Sequence, residues 1–174
     1  AYTTKTSVFI LIVTFAGSHI LMLIGIYMIM YGIIYALLEN DIRRILSYSI
    51  VNQVGFMIVG IGIGTELSLN GTAAHAFSHI IYKGLLLMSA GSVIYMINKY
   101  KCTDVGGLYK TMPLTAICGI IGALAISAFP LTSGFISKSM IVDASIHEGM
   151  QLVWLMLLVG SAGVFLHAGI KFPW

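Results

Sequence analysis

The chain has 174 residues, of which 59% are apolar and only 9% charged, with a net charge of +3 from nine basic and six acidic residues. A soluble domain of this size carries about 25% charged residues, so this composition leaves too few charges for the polar shell of a cytosolic enzyme and too weak a basic surface for a nucleic-acid binder. Its high apolar content also excludes a disordered chain and points to a polytopic membrane protein. About 20 apolar residues cross a bilayer, which allows at most about seven spans.

The predicted elements follow in chain order. An apolar segment over about 3–16 is followed by a helix over about 19–38, from His19 to Leu38. The charged turn Glu39-Asn40-Asp41-Ile42-Arg43-Arg44 leads into a helix from about Ile45 to Ile63, which ends among Gly60, Gly62 and Gly64. The polar stretch Thr65–Asn70 reads as a loop before a long helix from about Gly71 to Ile97. The longest polar stretch, Asn98 to Met112, carries Lys99, Lys101, Asp104 and Lys110. A helix over 113–129 starts on Pro113, where the missing N–H matters little. Pro130 and Gly134 interrupt the chain, and a short segment over about 134–146 and a helix over about 150–170 follow. These runs are too long for the strands of a transmembrane barrel. The expected fold is an all-α, polytopic transmembrane bundle of about seven helical segments, some discontinuous.

The ends and the cysteines add little. The chain opens at Ala1 and closes on Lys171-Phe172-Pro173-Trp174 straight after an apolar run, so it reads as an internal piece of a longer protein, with no signal-peptide pattern. Cys102 in a loop and Cys118 in an apolar run suggest neither a disulfide framework nor a metal site. The basic residues at Arg43, Arg44, Lys99, Lys101 and Lys110 fall on one side of the membrane and Glu66 on the other, which puts the basic side in the cytoplasm.

Three lysines break the pattern: Lys5, Lys83 and Lys138 lie inside apolar segments. A lysine at the bilayer centre costs about 2.5–3.5 kcal/mol on insertion scales. The bland explanation is snorkelling, with the stem along lipid and the ammonium at the headgroups. Lys83 lies roughly 20 Å from either end of its predicted helix, beyond the reach of its stem. For Lys5 and Lys138 snorkelling stays open, because the upstream sequence is absent and the break at Pro130 lies close by. His75, His79 and Lys83 recur every fourth residue and share one helix face, about 6 Å apart along the axis. Imidazole accepts a proton on one nitrogen and releases it from the other, which suits a relay. A metal site at His75 and His79 is the weaker reading, because no third ligand lies nearby in sequence. Lys5 and Lys138 both sit in hydroxyl-rich, interrupted segments, the kind that lines cavities in transporters. Counted as separate helices, their segments lie five steps apart, as an inverted repeat would place them.

Four stretches together resemble the antiporter-like subunits shared by respiratory complex I and Mrp-type monovalent cation/proton antiporters: Thr4–Thr6, Asn40–Ser49, His75–Leu86 and Phe129–Lys138. The resemblance covers essentially the whole chain. It implies two five-helix inverted repeats, with the end of the first at about 1–38 and most of the second at about 45–174, in one transmembrane proton-translocating domain over 1–174. By resemblance, Lys5 is the central lysine of the first half-channel, whose usual glutamate partner lies on an earlier helix. Lys83 with His75 and His79 matches the second half-channel, and Lys138 the broken-helix residue near the exit. Asp41 and Arg43 match a structural turn, Ser137 sits beside the exit lysine, and His167 is either a path residue or a structural one. Ser133–Met140 and Gly163–Pro173 look closer to the D-type subunits of Mrp antiporters than to complex I subunits. The resemblance implies a sodium/proton antiporter subunit in a bacterial inner membrane, assembled with other membrane subunits and moving protons, with Na+ as the candidate counter-ion. A redox-complex subunit and a structural scaffold are the alternatives. No flavin, haem, iron–sulfur or other cofactor signature is present, so the chain itself is not expected to be an enzyme.

Overall fold

Asp41, Gly64 and Thr65 set the boundaries of the two central helices. The computed structural model describes residues 3–171. It contains α1 (Thr3–Phe15), α2 (His19–Leu38), α3 (Ile42–Ile63), α4 (Glu66–Ile97), α5 (Leu108–Thr111), α6 (Pro113–Ile126), α7 (Ser133–His147) and α8 (Gln151–Val164), which runs on as a π-helix over Phe165–Ile170. No strand occurs among the described residues. Asp41 caps α3, its carboxylate accepting from the N–H groups of Arg43 at 2.9 Å and Arg44 at 3.3 Å. Gly64 closes the helix in the left-handed conformation at φ 78°, a geometry that glycine adopts without strain. Thr65 caps α4 by accepting from Ser68 N–H at 3.3 Å.

The expected loop over Thr65–Asn70 is therefore the first turn of α4, apart from Thr65 itself. Its inward-facing hydroxyl, Ser68, is satisfied by helix backbone. Ser68 donates to the Gly60 carbonyl, and Thr72 one turn later donates to the Ser68 carbonyl at 2.8 Å. Both residues are fully buried. The polarity at Ser68 and Thr72 marks a helix–helix contact, while Glu66 and Asn70 are exposed. The polar stretch 98–112 adds two short elements, a 3-10 turn over Cys102–Asp104 and the single turn α5.

Among the described residues, four elements are long and apolar enough to cross a membrane: α2, α3, α4 and α8 with its π-helical end. α6 and α7 are shorter. At 1.5 Å per residue α6 and α7 are each about 21–22 Å long, short of the ~30 Å hydrocarbon core. They lie end to end along α4. Gly122 of α6 meets Leu86, Gly134 at the start of α7 lies near Tyr82, and Gly71 faces Ile141 further along α7. Between them Ala128 (φ 57°) and Leu131 (φ 71°) hold left-handed conformations, each unfavourable by roughly 1–2 kcal/mol for a residue with a Cβ. The segments over 113–129 and 134–146 are thus two halves of one span. With the two counted as one, four steps separate the segments of Lys5 and Lys138.

The core is organised by glycines on α2 and α3. A Cβ on Gly25 would lie 2.8 Å from Val59 N, one on Gly32 would lie 2.7 Å from Asn52 N, and one on Gly62 would lie 2.7 Å from Met22 N. The two backbones touch along their length, as small residues permit in lipid. α8 packs on the same pair, with Gly160 against Ile29 and Phe56 and Gly163 against Ile33. α1 packs instead on α3 and α4. A boundary after Leu38 would cut the most intimate helix pair of the fold. α1 is joined to α3 and α4 through Val8, which shares a buried cluster with Met57, Ile61 and Ala76.

One rim of the bundle is tied by backbone bonds. Ile42 N–H donates to the Tyr100 carbonyl and Cys102 N–H to the Asn40 carbonyl, each at 2.9 Å. Lys171 Nζ donates to the Leu37 carbonyl at 3.0 Å and to that of Glu39, a cation at the negative end of α2. The N–H groups of Asp41 and Asn40, and then Arg44 at 3.7 Å, hold the Glu39 carboxyl below its usual range.

The α2–α3 contact can be tested directly. Gly32→Leu should destabilise the detergent-purified full-length protein by about 1–3 kcal/mol, as overpacking does, read as a lower melting temperature. Gly91→Ala, where a Cβ meets nothing within 4 Å, should leave it unchanged. At the rim, Asp41→Ala should cost about 1 kcal/mol. Because Glu39 is depressed in the folded chain, its contribution is present above the usual carboxylate range and fades as pH falls through its folded value. Glu39→Gln should accordingly flatten the acid limb of a melting-temperature profile below about pH 4.

Candidate functional site

Polar residues in an apolar solvent collect where helices can satisfy them, and here they collect on one face of α4. His75, His79 and Lys83 are all buried, with Lys83 only 1% exposed. Lys83 lies 17 residues after Glu66 and 14 before Ile97. That is roughly 25 Å and 21 Å from the helix ends, beyond the span of its stem. His75 and His79 have ring centroids 6.0 Å apart, and Tyr82 stands edge-on to His79 at 5.3 Å.

Lys5 of α1, also 1% exposed, joins this face. It lines a cleft of about 240 Å³ with His79, Ile80, Lys83 and Gly84. Among the described residues, Lys83 Nζ and both ring nitrogens of His79 have no hydrogen-bond partner. Unpaired buried groups of this kind are costly unless water reaches them, and the cleft is roomy enough for several waters. Lys5 donates to Thr4 Oγ1 at 3.4 Å.

The other end of the polar face is tightly paired. His75 Nδ1 lies 2.9 Å from Ser137 Oγ on α7, and His75 Nε2 lies 2.9 Å from Gln53 Oε1 on α3. Lys138, 2% exposed, donates from Nζ to the Ile126 carbonyl at 2.8 Å. That carbonyl is free because α6 ends there, so the break in the span supplies the lysine's acceptor. Lys138 Nζ also lies 5.2 Å from the Phe56 ring centroid, a cation–π distance.

The structure thus places Lys5, His79 and Lys83 around one cleft and His75, Ser137 and Lys138 at the α3–α7 side of the same α4 face. Asp41 and Arg43 stand apart at the rim, where Arg43 stacks over Tyr100 at 5.3 Å. His167 is fully buried in the π-helix, with Nδ1 on the Gly163 carbonyl at 2.8 Å. Phe172 and Pro173 of the closing motif lie outside the described residues. Sequence reasoning misses two buried polar residues, Asn52 and Gln53, both 0% exposed on α3. An amide pair in the middle of an otherwise apolar helix is the signal that marks them.

Comparison with known proteins agrees with this architecture. The family model described as NADH:quinone oxidoreductase/Mrp antiporter, TM matches residues 2–165. NADH-ubiquinone oxidoreductase chain 5 of Dictyostelium citrinum is 38% identical over 128 residues, 73% of this chain and 19% of that protein. The D-type Na(+)/H(+) antiporter subunit of Alkalihalophilus pseudofirmus is 36% identical over 152 residues, 87% of this chain and 31% of that protein. The chain therefore spans about a fifth to a third of the length of these relatives. A chain of the Mrp complex from Dietzia sp. DQ12-45-1b superposes with a TM-score of 0.84 at 23% identity, over 88% of this chain and 28% of that one, which shows the shared fold. With a match over nearly its whole length, the chain is a multi-pass membrane protein that belongs to the NADH:quinone oxidoreductase/Mrp antiporter transmembrane family.

Proposed function

We propose that this chain is the proton-conducting part of a membrane subunit, with Lys5, His79 and Lys83 forming one segment of the path and His75, Ser137 and Lys138 the next. The observation that carries the reading is Lys83. Its ammonium nitrogen is buried at mid-helix, has no hydrogen-bond partner among the described residues, and borders a cleft shared with Lys5. Ionisable groups within membranes mark ion paths and proton relays by default. A scaffold has no use for an unpaired buried amine that stands beside an unpaired imidazole. The chemistry is proton transfer between amine and imidazole with no bond made to a substrate, so the chain acts as a transporter subunit and not as a catalyst.

We further read the chain as part of an Mrp-like subunit of the D type, a partner of other membrane subunits in a sodium/proton antiporter of a bacterial inner membrane. The alignment with the D-type antiporter relative covers the larger share of this chain, 87%. A proton-pumping subunit of a quinone-reducing complex is the second reading, supported by the higher identity to an oxidoreductase chain, 38%. The five-span group α2, α3, α4, α6–α7 and α8 corresponds in this reading to one repeat, and α1 to the end of the preceding one.

In the full-length subunit, assembled in its native complex and assayed in vesicles with a pH-sensing dye, Lys83→Ala should cut proton movement by at least about a hundredfold. Assembly on a native gel should be unchanged. Proton movement at the wild-type rate in an assembled Lys83→Ala complex would sink the proposal. Driving the same vesicles with a Na+ gradient or with a reduced electron donor separates the two readings. Flux coupled to Na+ supports the antiporter, and flux coupled to electron donation supports the redox complex.

A further inference from the structure

His75 differs from its neighbour His79 in having both ring nitrogens occupied, and the occupants are not equivalent. On one side the chain of contacts runs His75 Nε2 to Gln53 Oε1 at 2.9 Å, Gln53 Nε2 to Asn52 Oδ1 at 3.1 Å, and Asn52 Nδ2 to the Ile29 carbonyl at 3.1 Å. All four residues are fully buried. The far end sets the direction of the whole row. A backbone carbonyl can only accept, so Asn52 must turn its NH2 to Ile29 and its oxygen to Gln53. Gln53 must then donate to that oxygen and present its own oxygen to His75. An amide oxygen accepts, so His75 Nε2 must carry the proton. The close approach of α2 to α3, where Gly32 meets Asn52 N, brings the Ile29 carbonyl within reach.

On the other side stands a different kind of group. Ser137 Oγ, 2.9 Å from His75 Nδ1, is a hydroxyl that can both donate and accept. Its one proton can go to the Ser133 carbonyl of its own helix at 3.0 Å, to that of Gly134 at 3.4 Å or to His75 Nδ1, so the hydroxyl turns between backbone and ring. Lys138 follows Ser137 on α7 and is itself buried.

We propose that the row Gln53–Asn52, anchored on the Ile29 carbonyl, is a positioning device that holds His75 as its Nε2–H tautomer, leaving Nδ1 as the one nitrogen through which this histidine exchanges protons. The inference rests on the proton-path reading above. In the transfer step the Ser137 hydroxyl turns from the Ser133 carbonyl to pass its proton to His75 Nδ1 and takes one up from the Lys138 ammonium, so the lysine ends as the neutral amine, the serine ends neutral and the ring ends as imidazolium. The reverse step returns the proton by the same nitrogen. The amide row cannot carry a proton onward, because an amide oxygen accepts a hydrogen bond without holding the proton. His75 is then a side station of the second path segment that stores a proton and its charge beside Ser137 and Lys138 and returns it by the same nitrogen, and protons are barred from leaking along α3 towards α2.

The test uses the full-length subunit in its native complex, labelled with 15N-histidine, with His75 assigned by difference against His75→Gln. In the wild type, His75 should show a single Nε2-protonated pattern. Asn52→Leu removes the anchor without touching His75 and frees the Gln53 amide to reverse. Gln53→Leu removes the acceptor itself. In both, the single tautomer pattern should be lost, and proton flux in vesicles should fall by about tenfold or more, the effect of losing a histidine's orienting partner. Gln53→Glu keeps an acceptor oxygen at Nε2 and should retain the tautomer, which gives a reading even if a leucine variant fails to assemble. An Nε2–H tautomer that persists in assembled Asn52→Leu and Gln53→Leu, its loss in Gln53→Glu, or wild-type flux despite a lost tautomer would each overturn the inference. Failure of the underlying reading is seen separately, as wild-type flux in Lys83→Ala.

Discussion

An apolar solvent offers a polar side chain nothing to bond to, and most of this fold is a response to that constraint on one face of α4. His75, His79, Tyr82 and Lys83 cannot face lipid, so that face must be covered by α3, α7 and α1. The rest of the bundle serves this covering. α3 is buried along most of its length because it lies between α2 and α4. α2 approaches α3 closely enough, through glycines, for the Ile29 carbonyl to become the terminus of a side-chain hydrogen-bond row.

The break between α6 and α7 belongs to the same logic. A continuous helix beside α4 would have kept the Ile126 carbonyl for its own backbone. Ending the helix there, with two residues in left-handed conformations, leaves that oxygen free to accept from Lys138. Local backbone strain of this kind is found where a site depends on it. The π-helical end of α8 is a second departure from regular helix, and it encloses His167 against the end of α6, where Ser127 lies near Gly169. Both irregular segments occur where helix backbone meets a buried cation or imidazole.

The polar face is divided in character. Around Lys5, His79 and Lys83 the nitrogens border a cleft, and those of His79 and Lys83 lack fixed partners among the described residues, an arrangement in which protons can move through water. Around His75 and Lys138 the partners are fixed and directional. A path that combines a loosely solvated stretch with a rigid one can admit protons freely at one end and control their direction at the other. The rim, with Asp41, Arg43, Glu39 and Lys171, has a separate task. It holds the ends of α2, α3 and α8 and the loop over 98–112 in register, away from the buried nitrogens of the α4 face.

Much of this is legible from residues alone. Scarcity of charge and long apolar runs dictate membrane helices, since no other use of such segments satisfies their backbones. The ends of α2 at His19 and Leu38 and the end of α3 at Ile63 follow from turn residues and the αL glycine. The i, i+4, i+8 spacing puts His75, His79 and Lys83 on one face of any helix, whatever surrounds it. Other features depend on which helix lies against which. Thr65–Asn70 reads as loop until α3 is seen to satisfy Ser68. The segments over 113–129 and 134–146 read as two helices until they are found stacked along one α4. Asn52 and Gln53 stand out in sequence only as an amide pair in a helix, and their role is set by the α2 carbonyl at one end of them and the imidazole at the other. Periodicity records which face of a helix is apolar. It holds no record of partners 22 and 62 residues away, and His75 is defined by two such partners, Gln53 and Ser137.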